Sequence, residues 1–288
     1  MRIDLHTHST ASDGTDAPAD VVTKAAAGGI DVLGLTDHDT TAGWAEAERA
    51  LDRLPDRFHL VRGMEMSCEG RGEDGAPVPV HVLAYLFDPS DAVFAAERIR
   101  QREERVTRLR AMADNIAADY PIDPEAVMSA VGTSAGRPHL AQELVRAGVV
   151  DSAGEAFDDL LSRRSRYFVP KQDTPIEDAV QMIGAAGGVS VIAHARARLR
   201  GRLLAIEHIE ELAGLGLTGL EVDHPDHADE DRSLLAHLAD RLDLLTTGSS
   251  DYHGDNKEQR LGACTTDPAQ FHALVEQARG AAVLTGTR

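Results

Sequence analysis

Asp4, His6 and His8 stand at alternate positions of the opening stretch Ile3-Asp4-Leu5-His6-Thr7-His8. Alternate side chains of a strand share a face, so this spacing turns two imidazoles and a carboxylate the same way. Two such imidazoles can chelate one divalent cation with the carboxylate behind them, although the pattern alone also describes a polar strand face. What separates the two readings is the recurrence of ligand-type residues along the chain. Asp13, His38, Glu65, His81, His194, Asp251 and His253 each lie in, at the end of, or in the loop after an apolar run. With His6 and His8 they form a candidate cluster of six imidazoles and three carboxylates. Of the 13 histidines, His59, His208, His237 and His272 lack such company and are expected to be structural.

An imidazole and carboxylate set without thiolate suits Zn, Mn or Fe. These side chains are too many for one ion with an open position, but they suffice for two or three ions sharing a carboxylate. Glu65, in the middle of the sequence order, is the natural bridge. Three divalent ions against three carboxylates leave a residual charge of about +3, which favours an anionic substrate such as a phosphate ester. A hydroxide shared by two ions is a nucleophile near neutral pH, because metals lower the pKa of bound water to about 7. Asp4 and Asp37 are expected to orient His6, His8 or His38 through their other ring nitrogens, and Asp37 is counted with the catalytic residues on that ground.

The elements that must carry these residues alternate. Short apolar runs at 30–36, 60–66, 78–86, 189–193, 217–222 and 242–247 read as strands, the first of them as a buried parallel strand. Helical patterns at 17–29, 41–54, 174–186, 203–215, 233–241 and 268–279 lie between or after them. Residues 90–169 are charged and helical without a strand pattern, with helices expected over 92–119 and within 129–166, so they read as an insertion. Polar residues gathered at strand C-termini are the mark of a parallel βα barrel, whose sites lie on that rim. A doubly wound sheet would place a Gly-rich phosphate loop after the first strand, and the sequence has none.

The motifs Asp-Leu-His-Thr-His (4–8), Ser-Asp-Gly-Thr (12–15), Leu-Thr-Asp-His-Asp-Thr (35–40), Gly-Met-Glu-Met-Ser (63–67), Val-His-Val-Leu-Ala-Tyr (80–85), Ile-Ala-His-Ala (192–195) and Gly-Ser-Ser-Asp-Tyr-His-Gly (248–254) together resemble the polymerase and histidinol phosphatase (PHP) family. The resemblance spans residues 1–90 and about 170–260. It implies an α/β fold, a distorted (β/α)7 TIM-like barrel of the PHP type with a helical insertion, and phosphoesterase activity at a trinuclear metal centre. It divides the ligands into His6, His8, Glu65 and Asp251; Asp13, His38 and His253; and Glu65, His81 and His194. The barrel would comprise 1–90 and 170–288, and the insertion 91–169 would contribute to substrate binding.

Gly-Arg-Pro-His (136–139) and Gly-Leu-Glu-Val-Asp-His-Pro-Asp-His (219–227) further resemble the nucleotide-active subgroup of that family. Its members act on nucleoside 3′,5′-bisphosphates or AMP-like compounds, or trim short RNA from the 5′ end. In that subgroup an aromatic residue is usual at the position of Asp223. Arg137 is the first choice for a phosphate clamp, being planar, bidentate and always charged. His139 is a candidate to contact phosphate or protonate the leaving oxygen, and His224 is its rival. Lys171 is a further candidate substrate contact. Arg163-Arg164-Ser165-Arg166 reads as the only strong basic cluster of the chain, suited to a second phosphate or a short nucleotide tail.

Composition narrows the partners. A formal net charge of −19 repels polyanions, so duplex nucleic acid is not an expected partner. The expected substrate is a small phosphorylated metabolite, with a nucleotide or short oligonucleotide the first choice, held with two or three divalent ions (Mn, Zn or Fe). The alternatives are 5′–3′ exoribonuclease action on short RNA, histidinol phosphatase activity and, outside this class, amidohydrolase-type C–N hydrolysis. A purely binding module would predict missing ligands. The two cysteines, Cys68 and Cys264, form no disulfide framework. No leader pattern or membrane-length apolar run is seen, so no membrane partner and a cytoplasmic location are expected.

Overall fold

A computed structural model describes residues 1–131 and 135–288. Residues 132–134, inside the 129–166 stretch read as helical, lie outside the described set. In chain order the elements are β1 (Ile3–Thr7), α1 (Pro18–Ala27), β2 (Val32–Leu35), α2 (Trp44–Ala50), β3 (His59–Arg71) and β4 (Pro77–Tyr85). They continue with α3 (Ala92–Ala117), α4 (Pro124–Ala130), α5 (Arg137–Arg146), α6 (Ala153–Asp158), β5 (Thr174–Pro175) and α7 (Ile176–Ala185). The last are β6 (Val189–Ile192), α8 (Ile206–Gly214), β7 (Gly219–Asp223), α9 (Asp229–Leu242), β8 (Leu245–Gly248), α10 (Pro268–Gln277) and β9 (Leu284–Thr285). Among the described residues no helix is long and apolar enough to cross a membrane.

The chain divides into two compact units, residues 1–97 with 173–288 and residues 98–172. The first is built on one sheet in the order β1-β2-β3-β4-β6-β7-β8, with β5 and β9 pairing to β3. A bridge between Thr7 and Tyr252 links the chain after β8 back to β1 and brings the sheet close to a closed barrel. The seven strands of that path and the helices around them form the expected distorted TIM-like barrel. Val-Leu-Gly-Leu of β2, paired in parallel on both edges, and Val-Ser-Val-Ile of β6 are buried along their whole length, as strands covered on both sides must be.

One departure from the simple alternation has a clear cause. Residues 60–66 and 78–86 read as successive strands; β3 and β4 pair antiparallel as a hairpin from Gly63↔Tyr85 out to Arg71↔Pro77. Only 72–76 separate them, which suffices for a tight turn but not for the crossover a parallel pair requires. Gly75 sits at φ 77° in that turn. β4 is therefore antiparallel to β6 as well.

Of the three apolar clusters among the described residues of this unit, two draw on β3, β4 and β6 together. Ile3, Leu5, Val61, Leu83, Tyr85, Val191, Phe271 and Leu274 form one, and the Tyr85 hydroxyl donates to the Leu5 carbonyl at 3.0 Å. Met64, Val82, Phe87, Ile183, Ile192 and Leu220 belong to the other, which joins sheet to helices. Phe94, in the first turn of α3, also belongs there, on the barrel side of the division. That second unit has its own core of Leu109, Met112, Ile116, Leu140, Leu144, Leu161 and Tyr167. Asp123 and Ser152 cap α4 and α6 by accepting from the amides of Glu125 and Glu155.

Candidate metal centre

The barrel strands and the loops after them bring the cluster together. β1 carries His6 and is followed by His8, β3 carries Glu65, and β4 carries His81. His38, His194, Asp251 and His253 lie in the segments just beyond β2, β6 and β8. Three of these segments turn sharply: Asp39, His194 and Asp251 have φ of 51°, 32° and 51°. Non-glycine residues in the left-handed region cost about 1 kcal/mol or more each, and such strain gathers where side chains must be aimed. The loop with Asp13 is fixed from the opposite side, since the Thr15 amide donates to the His253 carbonyl at 3.1 Å.

Glu65, 1% exposed, is the hub. Its Oε1 lies 2.6 Å from His81 Nδ1 and 2.9 Å from His194 Nε2. Its Oε2 lies 3.0 Å from His8 Nε2, 3.1 Å from His6 Nε2 and 3.3 Å from His38 Nδ1. Each carboxylate oxygen thus faces its own group of imidazoles. Asp251 Oδ1 lies 3.4 Å from the Nε2 atoms of His6 and His8 and 3.5 Å from His253 Nδ1. Asp13 lies 3.4 Å from His253 Nε2, 3.6 Å from His8 Nδ1 and 3.7 Å from His38 Nε2. Among the described residues, candidate ligand atoms fall within 4.8 Å of one another in three overlapping groups: His6, His8, Glu65 and Asp251; His8, Asp13, His38 and His253; and His38, Glu65 and His81.

This donor set fits divalent cations. His38 Nδ1 is buried without a hydrogen-bond partner, and the Nε2 atoms of His6 and His8 stand 3.1 Å apart, close enough to ligate one cation together. Burial alone would push His6 and His8 down. The carboxylates around them prevail, raising His6 well above the ordinary imidazole range and His8 to about 9. Burial pushes His38 down to about 3 despite Glu65 and Asp13. Glu65 and Asp13, which burial would raise, are held well below the carboxylate range by the imidazoles, His38 foremost.

A pH dependence follows. His8 carries a proton below about 9 unless a cation replaces it, so metal loading near neutral pH releases protons and tightens as pH rises. Calorimetric titration with Mn²⁺ in two buffers of different ionisation enthalpy measures the count. Loading with no proton release at about pH 7 would contradict imidazole ligation.

Two orienting roles differ from expectation. Asp4 accepts from the Ser250 amide at 3.0 Å, the Ser250 hydroxyl at 2.6 Å and the Gly262 amide at 2.8 Å. Asp37 accepts from the Ser9 amide and from the Ser9 and Ser12 hydroxyls, each at 2.7 Å. Both therefore tether loops. Their oxygens are taken by these amides and hydroxyls rather than by ring nitrogens of His6, His8 or His38. The carboxylate on His6 Nδ1 is Glu221 of β7, at 3.1 Å; it also accepts from the His194 amide at 2.8 Å and from the Ser249 hydroxyl. The sequence offered a signal for it, an acid inside an apolar buried strand, which has to be paired. Lys257, given no role by the sequence, donates to Asp251 Oδ2 at 2.6 Å.

The other histidines sort by their partners. His224 Nδ1 accepts from the Asp226 amide at 3.0 Å, while its Nε2 faces Asp251 Oδ2 at 3.4 Å. His227 has both nitrogens on backbone, Val222 O at 2.9 Å and the Arg196 amide at 3.2 Å, and offers nothing to a ligand. His208 joins the Arg71 amide to Glu177, a structural role as expected.

The remaining candidates belong to the helical unit. Arg137 donates to the Leu161 carbonyl at 3.1 Å, its guanidinium 5.2 Å from the Phe157 ring and 6.0 Å from Phe168. His139 Nδ1 donates to the Gly136 carbonyl at 3.2 Å. Lys171 donates to Gln101 Oε1 at 2.8 Å. In the 163–166 run, Arg166 pairs with Asp119 at 2.9 Å and Arg163 lies 5.9 Å from the Phe168 ring. That run is not the only basic one, since arginines alternate just after His194. Arg196 pairs with Glu73 at 2.6 Å, Arg198 with Asp231 at 2.6 Å and Arg202 with Asp74 at 3.1 Å, fastening the loop after β6 to the β3–β4 turn and α9. Asp223 is exposed at the end of β7, 3.8 Å from Arg232.

Comparison with known proteins places this geometry. The PHP domain profile matches residues 4–136. A 5′-3′ exoribonuclease of Haemophilus influenzae is 33% identical over 88% of this chain and 90% of its own length. A 3′,5′-nucleoside bisphosphate phosphatase of Chromobacterium violaceum is 33% identical over 92% of each chain. Among solved structures, a Bifidobacterium adolescentis protein assigned as a metal-dependent phosphoesterase superposes with a TM-score of 0.88 at 36% identity, covering 96% of both chains.

Proposed function

Because this chain belongs to the PHP domain family and is a metal-dependent phosphoesterase, we propose that it hydrolyses a small nucleotide, a nucleoside 3′,5′-bisphosphate or an AMP-like monophosphate. The observation that carries the metal chemistry is the division of Glu65, one oxygen toward His81 and His194 and the other toward His6, His8 and His38. A carboxylate so placed can serve two cations at once. We assign His6, His8, Asp13, His38, Glu65, His81, His194, Asp251 and His253 as the ligands of two or three divalent ions. Bound there, such ions supply a water nucleophile at neutral pH and Lewis-acid charge for the phosphoryl oxygens.

The chain's own residues do the rest. Glu65 and Asp251 hold their oxygens in place through the imidazoles that surround them. Glu221 keeps the proton of His6 on Nδ1 and leaves Nε2 as the ligand atom. Asp37 and Asp4 pin the loops that carry Asp13 and Asp251. Arg137 and His139 remain proposed substrate contacts on the helical unit. Amidohydrolase-type chemistry is disfavoured, because the position between the two groups of imidazoles holds Glu65 and no lysine.

The names of two relatives support the nucleotide reading, and the exoribonuclease supports a second one, stepwise release of mononucleotides from short 5′-phosphorylated RNA. The test is phosphate and nucleotide release by Mn²⁺-loaded protein from adenosine 3′,5′-bisphosphate, AMP, histidinol phosphate and a short RNA. Preference for the bisphosphate or AMP is expected, with loss in Arg137→Ala. Preference for histidinol phosphate would overturn the nucleotide reading, and stepwise degradation of the RNA would favour the second.

A further inference from the structure

We infer that Lys257 and His224 form a seat for a phosphoryl oxygen of the substrate, at the Oδ2 edge of Asp251. The inference rests on the phosphoesterase reading above and names two groups of the chain that would read the phosphate. Asp251 divides its carboxylate. Oδ1 faces His6, His8 and His253, while Oδ2 faces Lys257 Nζ at 2.6 Å and His224 Nε2 at 3.4 Å. Two nitrogen donors therefore converge on one point beside the candidate metal ligands.

Each donor keeps capacity for a ligand. The Asp226 amide donates to His224 Nδ1, so the neutral ring carries its proton on Nε2. That Nε2 is buried and has no hydrogen-bond partner, on a side chain only 1% exposed. A buried N–H without an acceptor is costly, and the cost is removed when a ligand oxygen arrives. Lys257 is 30% exposed, so its ammonium reaches solvent from the same spot. It has three N–H donors, one of which goes to Asp251. The ligand such a pair recognises is an anionic oxygen, since ammonium and N–H donors both favour one. In a chain of net charge −19, a lysine held against the candidate centre supplies local attraction for a phosphate.

The test uses full-length, metal-loaded protein with inorganic phosphate as the probe. Lys257→Met is expected to weaken phosphate binding by about tenfold to a hundredfold and to raise KM by a similar factor, as loss of a charge-assisted hydrogen bond does. Lys257→Arg should restore much of it, and His224→Phe should weaken phosphate binding in the same direction while keeping a ring in place. Because both donors meet one oxygen, the double variant should lose less than the two singles combined. Metal content per chain should stay at the wild-type value in every variant. Wild-type phosphate affinity in Lys257→Met would overturn the seat. So would loss of metal in step with loss of binding, which would make Lys257 a support of Asp251. Phosphate affinity judges the seat whether or not turnover is found, and failure of wild-type protein to hydrolyse any nucleotide would count against the substrate reading alone.

Discussion

Glu65→Gln is expected to lower kcat/KM by at least about a thousandfold, roughly 4 kcal/mol of transition-state stabilisation, and to leave the purified protein short of metal. The substitution keeps the side chain's size and removes only its charge. That charge faces five imidazoles, those of His6, His8, His38, His81 and His194. Asp251 and Asp13 face the His6–His8–His253 and His8–His38–His253 sides, so the carboxylate on the His81 and His194 ring nitrogens is that of Glu65. The loss should therefore reach more than one cation, unlike the loss of a ligand at the edge of the cluster such as His81. Metal per chain by elemental analysis and turnover of the best nucleotide substrate measure the two effects. His59→Gln, at the start of the same strand and hydrogen-bonded to Thr285, is the matched control and should keep both. A Glu65→Gln protein that kept its full metal complement and its turnover would show that the carboxylate is not shared.

How far these effects are legible in the sequence depends on the range of the interaction. The cluster residues are visible because each interrupts or closes an apolar run, and period-2 and β/α alternation place those ends on one rim. Partner choice is not visible. His6 and Glu221 are 215 positions apart and meet only because β7 comes close to β1 in the barrel. Asp4 and Asp37 had suitable chemistry, but the nearer donors are amides and hydroxyls of the loops at 9–12 and 249–262. Lys257 lies in a polar loop where no periodicity marks a residue that turns inward. The β3–β4 hairpin was legible in principle from the short connection at 72–76, which can hold a turn and nothing longer.

The second large effect is expected at Glu221, which contributes no atom to the three groups of candidate ligands. Its carboxylate is buried, and it is held well below the ordinary range because His6, His224 and His194 outweigh the cost of burial. It accepts from His6 Nδ1–H, the Ser249 hydroxyl and the His194 amide, joining β7 to the ends of β1, β6 and β8. Glu221→Gln keeps an acceptor and loses the charge that favours Nδ1–H and strengthens Nε2 as a ligand. Metal affinity, read by competition with a chelator, should fall by about tenfold to a hundredfold, with turnover largely recovered at saturating metal. Glu221→Leu removes the acceptor as well and leaves His6 and the His194 amide buried without it, so global stability should fall by about 3–5 kcal/mol. The pH dependence has a definite sign. A carboxyl lowered by folding stabilises fully above its unfolded pKa, near about 4.3, and its contribution fades as pH falls below that value. The gap in stability between wild type and Glu221→Leu should accordingly be widest near neutral pH and narrow in acid. Unchanged chelator competition in Glu221→Gln would detach Glu221 from the metal centre and leave it as a tether between strands.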